Sequence, residues 1–147
     1  MSSIGEQTPD IVTVSALSVG SQGRQIVTAG SNHFVADRKS SAGGLGEAVQ
    51  AGELLLAALA SCAIAVIEKN AAERNIPIGN PHISASFERD PEDITRYRWI
   101  RLEISVPNVD TVEQETLIEA FRSTCPIFNT LKRGGTIEAV AALASES

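Results

Sequence analysis

From Ile11 to Val19 the chain alternates apolar with small polar residues, IVTVSALSV, and is rich in β-branched side chains, the pattern of a half-buried strand. Gly20 to Gly23, GSQG, reads as a tight turn, and RQIVTAG and NHFVAD resume the alternation beyond it. An N-terminal antiparallel meander of two or three strands is expected. Arg38 to Gly52, RKSSAGGLGEAVQAG, breaks the pattern with glycine and serine and predicts a long loop, with a short helical piece at Glu47 to Gln50. The pattern then changes altogether. Glu53 to Asn75 is free of charge from Leu54 to Ile67 and predicts a central buried helix. The uncharged run is too long for a strand and too short to cross a bilayer, for which a helix needs about 20 residues. Apolar on every side and about 21 Å long, it requires cover all round, from the rest of the chain or from a second subunit.

Lys69 and Arg74 lie near the C-terminus of that helix, where cations are favoured, and Ile76-Pro77 and Gly79-Asn80-Pro81 stop it. His82 to Asp90 and Ile94 to Pro107 then form two long alternating segments around the turn Asp90-Pro91-Glu92-Asp93. In the second segment Tyr97, Trp99 and, after a phase change near Ile100, Leu102, Ile104 and Val106 supply an apolar face. Arg96, Arg98 and Arg101 fall on its wet side. A second helix opens at Asp110 or Thr111, with Glu113 and Glu115 in its first turn and a stripe of Leu117, Ile118 and Phe121. CPIFNTLKRGG predicts a short third helix with proline in its first turn, ended by Gly134-Gly135, and TIEAVAALA a closing strand. This order is that of an α+β fold, one domain over residues 11–147 behind a flexible tail, 1–10.

Composition narrows the possible partners. The chain has 147 residues, enough for one core without staples, and its formal charge of −6 provides no basic surface for a nucleic acid. The N-terminus has no basic segment leading into an apolar stretch, so neither signal peptide nor membrane anchor is expected and the cytoplasm is the expected compartment. His33 and His82 stand without ligand spacing, and no metal site is expected.

The chemistry rests on two cysteines, Cys62 and Cys125. In a reducing compartment they are expected as free thiols or a transient redox pair. A thiol in an apolar helix, such as Cys62, packs as a small hydrophobe and needs a cation to become nucleophilic. Cys125, directly before Pro126, stands at the start of a helix, where unpaired N–H groups stabilise a thiolate. From position alone, Cys125 is the more reactive.

ELLLAALASC at Glu53 to Cys62, with its continuing apolar helix, and CPIFNTLKRG at Cys125 to Gly134 resemble the two cysteine motifs of the OsmC/Ohr family of thiol-dependent peroxidases. The Gly-rich loop at Gly43 to Gly46 and the flanking strands fit as well, so the resemblance covers roughly residues 11–143, closer to the YhfA-like branch than to the best-characterised hydroperoxide reductases. It implies the OsmC-like fold, antiparallel sheets with a long central apolar helix, in an intertwined homodimer with the central helices at its middle. It also implies that Cys62 attacks a peroxide, organic hydroperoxides in preference, that Cys125 resolves the sulfenic acid as a disulfide, and that a dithiol restores both thiols without a further cofactor. This order reverses the one read from position.

The peroxidases of the family carry a glutamate ten residues before the first cysteine, which orients an activating arginine. Here that position is Gly52, preceded by Ala51 where the family has proline, and the nearest carboxylate is Glu53, about 180° from Cys62 around a helix. The candidate arginines are Arg24, just after GSQG, and Arg38, at the mouth of the Gly-rich loop. A non-catalytic binding protein for a hydrophobic small molecule, or a thiol redox sensor, are the alternatives on the same fold.

Overall fold

The computed structural model describes residues 10–20 and 22–143. Most of the expected tail (residues 1–9), Ser21 of the expected turn and Ala144 of the expected closing strand lie outside the described residues. The chain forms two compact units, Met1–Leu54 and Leu55–Ser147.

The first unit is an antiparallel meander of β1 (Val14–Ser18), β2 (Arg24–Ala29) and β3 (Asn32–Asp37), in that order. Gly30 takes a positive φ of 63° in a two-residue loop between Ala29 and Asn32, the backbone twist that a tight hairpin requires. That loop sets the register all the way to Arg24 opposite Asp37. Strand β1 is shorter than its alternation suggests and exposed along its whole length; among the described residues its pairing partner is β2. The loop after β3 holds a 3-10 turn at Ser40–Ala42 and no helix at 47–50. There the backbone answers to Asp37 instead: its carboxylate accepts the N–H groups of Glu47 and Ala48, and its N–H donates to the Val49 carbonyl. A side chain at Gly44 would overlap the carbonyl oxygen of Arg38, so the loop can fold this tightly only on glycine.

Helix α1 (Ala51–Glu73) runs 23 residues, beyond the uncharged stretch at both ends. By length and composition alone it could cross a membrane. Leu59, Ala63, Ile67 and Ala71, four apart and therefore on one face, are nevertheless buried in protein. Asn75, with φ 55°, ends the helix: Ile76 N–H reaches back to the Ala71 carbonyl, a left-handed cap placed before the prolines.

In the second unit β4 (His82–Arg89) and β5 (Tyr97–Ser105) form an antiparallel pair, and α2 (Thr111–Thr124) and α3 (Pro126–Arg133) follow. A bulge at Glu88/Arg89 shifts the register so that Tyr97 stacks on Phe87, whereas Trp99, expected on the apolar face, is 39% exposed, lies opposite Glu88 and donates its Nε1–H to that carboxylate, with the Arg101 guanidinium over its ring. Asp90, at the start of the expected turn, is buried, with Arg96 and the Glu92 N–H as partners. Asp110 and Glu113 form a reciprocal capping box at the start of α2. The core joins Ala63, Ile67 and Ala71 to Val106, Leu117, Phe121 and Cys125, with Ile83, Leu102 and Ile104 of the sheet packed against it.

The expected closing strand does not form. Ile137, Val140 and Leu143 are 86%, 84% and 98% exposed, and residues 136–143 pair with no strand among the described residues. A segment of strand pattern without a partner for its N–H and C=O groups stays irregular.

Candidate active site around a cysteine pair

Cys62 lies midway along α1 and Cys125 at the α2–α3 junction, and the two are joined as a disulfide, with Cα atoms 6.6 Å apart. The junction is built to hold Cys125 in place. Its extended backbone, φ −73° and ψ 117°, breaks the helix, so the same residue closes α2 and opens α3. Its N–H donates to the Phe121 carbonyl at 3.0 Å, and its carbonyl accepts from the Asn129 amide, 2.9 Å away. Its Sγ accepts from the Phe128 N–H at 3.4 Å, the position a serine or aspartate oxygen takes in an ordinary N-cap. Pro126 loses nothing there, since its nitrogen falls where an N–H would have no helical partner.

The two sulfurs differ in access. Cys125 is 0% exposed within the core, whereas Cys62 is half-buried at the core's edge. Both flanks of α3 carry apolar hollows. One, of about 230 Å³, is lined by Leu59, Ile100, Leu102, Phe128, Leu131 and Lys132; the other, of about 300 Å³, by Leu55, Pro126, Ile127, Thr130 and Leu131. A larger, open hollow of about 610 Å³ runs along α2 from Thr111 to Ser123, with neither cysteine in its wall. Size alone does not mark the site.

The other residues singled out in the sequence lie in the first unit, each with a local partner. Arg24 places Nε and one terminal nitrogen on the two oxygens of Asp37, both at 2.8 Å, and the same nitrogen reaches Glu47 at 3.4 Å. Asp37 is 2% exposed. The Arg24 guanidinium, aided by the N–H groups of Ala48 and Glu47 and opposed by burial, holds this carboxyl well below the usual carboxylate range. Arg24 is made more basic in turn, chiefly by its bond to Asp37. Arg38 is exposed, and its guanidinium donates to the Gly43 carbonyl at 3.3 Å. Glu53 accepts the Gln50 N–H at 2.9 Å, half of a capping box at the start of α1. Sequence reading overlooked Asp37, although the register of a two-residue hairpin would have set it opposite Arg24. The unpaired N–H expected beside Cys125 from the Cys-Pro step is that of Phe128.

Among solved structures the chain is similar to an OsmC-like protein from Mycoplasma pneumoniae, at 18% identity and a TM-score of 0.72, covering 85% of this chain and 89% of that one. It is also similar to an organic hydroperoxide resistance protein, OsmC, from Legionella pneumophila, at 20% identity, a TM-score of 0.62 and coverage of 86% and 92%. A third is the organic hydroperoxide resistance protein OhrB of Bacillus subtilis, at 20% identity, a TM-score of 0.57 and coverage of 84% and 91%. No curated protein matches the chain. At these identities the structures speak for the fold: α+β, with antiparallel sheets and one long helix. The family model described as OsmC-like protein matches residues 44–140, well over half of the chain and both cysteines, so the chain belongs to the OsmC-like protein family.

Proposed function

We propose that this protein is a thiol-dependent peroxidase of organic hydroperoxides, acting as one OsmC-like domain over residues 11–147, with Cys62 peroxidatic and Cys125 resolving. The observation that carries the reading is the union of two cysteines, distant in sequence, across helices of different origin. The Cys62 thiolate attacks a peroxide oxygen, the O–O bond breaks, and the alcohol leaves with a proton, so that Cys62 becomes a sulfenic acid. Cys125 Sγ then attacks Cys62 Sγ, water leaves, and the disulfide forms; an external dithiol returns both cysteines to thiols. Apolar hollows beside α3 suit an organic substrate better than hydrogen peroxide.

Of the two arginines, we assign activation of Cys62 to Arg24. Its bidentate bond to Asp37 fixes the guanidinium, the task that the missing glutamate performs in the family's peroxidases, and leaves one terminal nitrogen without a carboxylate among the described residues. Arg38 has no such anchor. We further propose the intertwined homodimer, whose second copy covers the apolar face of α1, the open strand β1 and the tail around Ile137 and Val140. Cytoplasmic placement suits a cycle whose resting state is the dithiol.

The test is a free-thiol count with intact mass after one equivalent of an organic hydroperoxide and, separately, of hydrogen peroxide. Loss of both thiols with a mass lower by two hydrogens, faster with the organic peroxide, is expected. Cys62→Ser abolishes consumption, and Cys125→Ser allows a single turnover followed by over-oxidation of Cys62. Thiols that survive both peroxides would turn attention to the same hollows as a binding site for an apolar small molecule, with the cysteines as packing.

A further inference from the structure

We infer that the reductant enters at Cys62 and that Cys125 is the sulfur released. An incoming thiolate bonds to Cys62 Sγ, the Sγ–Sγ bond breaks, and its electron pair passes to Cys125, held as an anion at the start of α3. The second thiol of a dithiol then attacks the reductant's own sulfur in the mixed disulfide and releases Cys62. The reductant departs as a disulfide, two electrons poorer; one of its protons ends on Cys62 and the other passes to solvent, while Cys125 remains a thiolate. This inference rests on the thiol chemistry proposed above, but not on a peroxide as the oxidant.

Access decides the point of attack. In thiol–disulfide exchange the attacking, central and leaving sulfurs lie nearly in line, so a nucleophile aimed at one sulfur arrives from the side opposite the other. Cys125 is 0% exposed, in one cluster with Ile67, Leu117 and Phe121, and an in-line approach to it passes through packed core. Cys62 is half-buried at the edge of the core and is the more accessible of the two residues. Charge decides the leaving group in the same sense. Cys125 Sγ already accepts the Phe128 N–H at 3.4 Å and stands at the positive end of an eight-residue helix. Cys62 sits inside α1, where the peptide N–H groups are committed to the helix. A leaving thiolate is released faster the better it is stabilised.

The same arrangement removes the conflict between position and family role. The helix terminus serves the cysteine that attacks the sulfenic acid and later departs, and it is not required by the cysteine that meets the peroxide. Cys125 is thus the thiolate terminus of both half-reactions.

The experiment starts from the full-length protein oxidised with diamide, so that the disulfide is made without peroxide. It is mixed with glutathione, quenched in acid within the first fraction of the reaction, alkylated, digested and mapped by mass. Glutathione on Cys62 and the alkyl group on Cys125, in at least about tenfold excess over the converse, is expected. Equal adducts, a majority on Cys125, or a disulfide inert to glutathione overturns the inference.

A second measurement avoids re-closure of the mixed disulfide. In the native state, Cys125→Ser exposes Cys62 to an aromatic disulfide reagent and is labelled at least about tenfold faster than Cys62→Ser; in denaturant the two rates converge. Faster labelling of native Cys62→Ser overturns the inference. A protein that consumes no peroxide yet carries glutathione on Cys62 refutes the peroxidase reading alone, and active peroxidase with glutathione on Cys125 refutes this inference alone.

Discussion

In the meander and its following loop, Val27 and Ala36 are the buried apolar side chains among the described residues, while beyond Leu55 an apolar cluster of seven extends from Ala63 to Cys125. The first unit compensates with charge. Asp37 collects two bonds from Arg24 and two from the backbone of Glu47 and Ala48, tying strand, hairpin partner and loop to one carboxylate. The second unit joins its helices through packed rings, Phe121 against Phe128 at 5.1 Å, and through sulfur. A buried charge knot depends on pH and on each partner's being present, whereas an apolar core depends on volume. The two units are therefore expected to fail by different routes.

The largest effect on stability is expected from Phe121→Ala, which empties the centre of the second unit. About 3–5 kcal/mol is lost from a buried Phe→Ala change, read as a fall in the denaturant midpoint, and a loss under about 1 kcal/mol would contradict the core described for it. In the first unit, Asp37→Asn unties the knot. The amides of Glu47 and Ala48 should exchange with solvent much faster, while those of α2 stay protected. Acid reaches the same knot in the wild type. The carboxyl of Asp37 is more acidic in the folded chain than in the unfolded one, where its ordinary pKa is 3.8, so the folded chain binds fewer protons. Its contribution is complete above that ordinary value and is lost as the pH falls below it; thermal melts between pH 5 and about 2 should show a wild-type decline that Asp37→Asn reduces.

Arg24→Lys keeps the charge but cannot bond two carboxylate oxygens in parallel, and should slow peroxide consumption by about tenfold or more, with Arg38→Lys near wild type. The reverse ranking would transfer activation to Arg38. The smallest effect is expected at the surface of the second unit: Asp110→Ala removes one side of a capping box and should cost about 1 kcal/mol, measured by urea unfolding, with no effect on thiol reactivity.

Features that depend on near neighbours in the chain are legible in the amino-acid sequence alone. The stripe of Leu117 and Phe121, the Asp110 cap and the helix start at Cys125-Pro126 lie where their patterns put them. The end of α1 is less legible, because the prolines are conspicuous while the left-handed Asn75 just ahead of them carries the cap. The helical piece expected at Glu47 to Gln50 lost to Asp37, whose carboxylate offered those N–H groups a stronger partner than a single helical turn could. TIEAVAALA has the alternation of a strand, but alternation describes one face and does not provide a neighbouring strand.

Legible in the chain alone were the α+β order, the three helices, the family resemblance and the pair of cysteines. Helical periodicity, capping and the Cys-Pro step act within a few residues, and their free energies do not wait for distant partners. That Cys62 meets Cys125, which of the two lies deeper, and that Arg24 bonds to Asp37 follow from packing between distant segments. Those outcomes depend on strand register and on which apolar face is packed. Both are set when segments far apart in the chain exclude water together, and no local pattern records them.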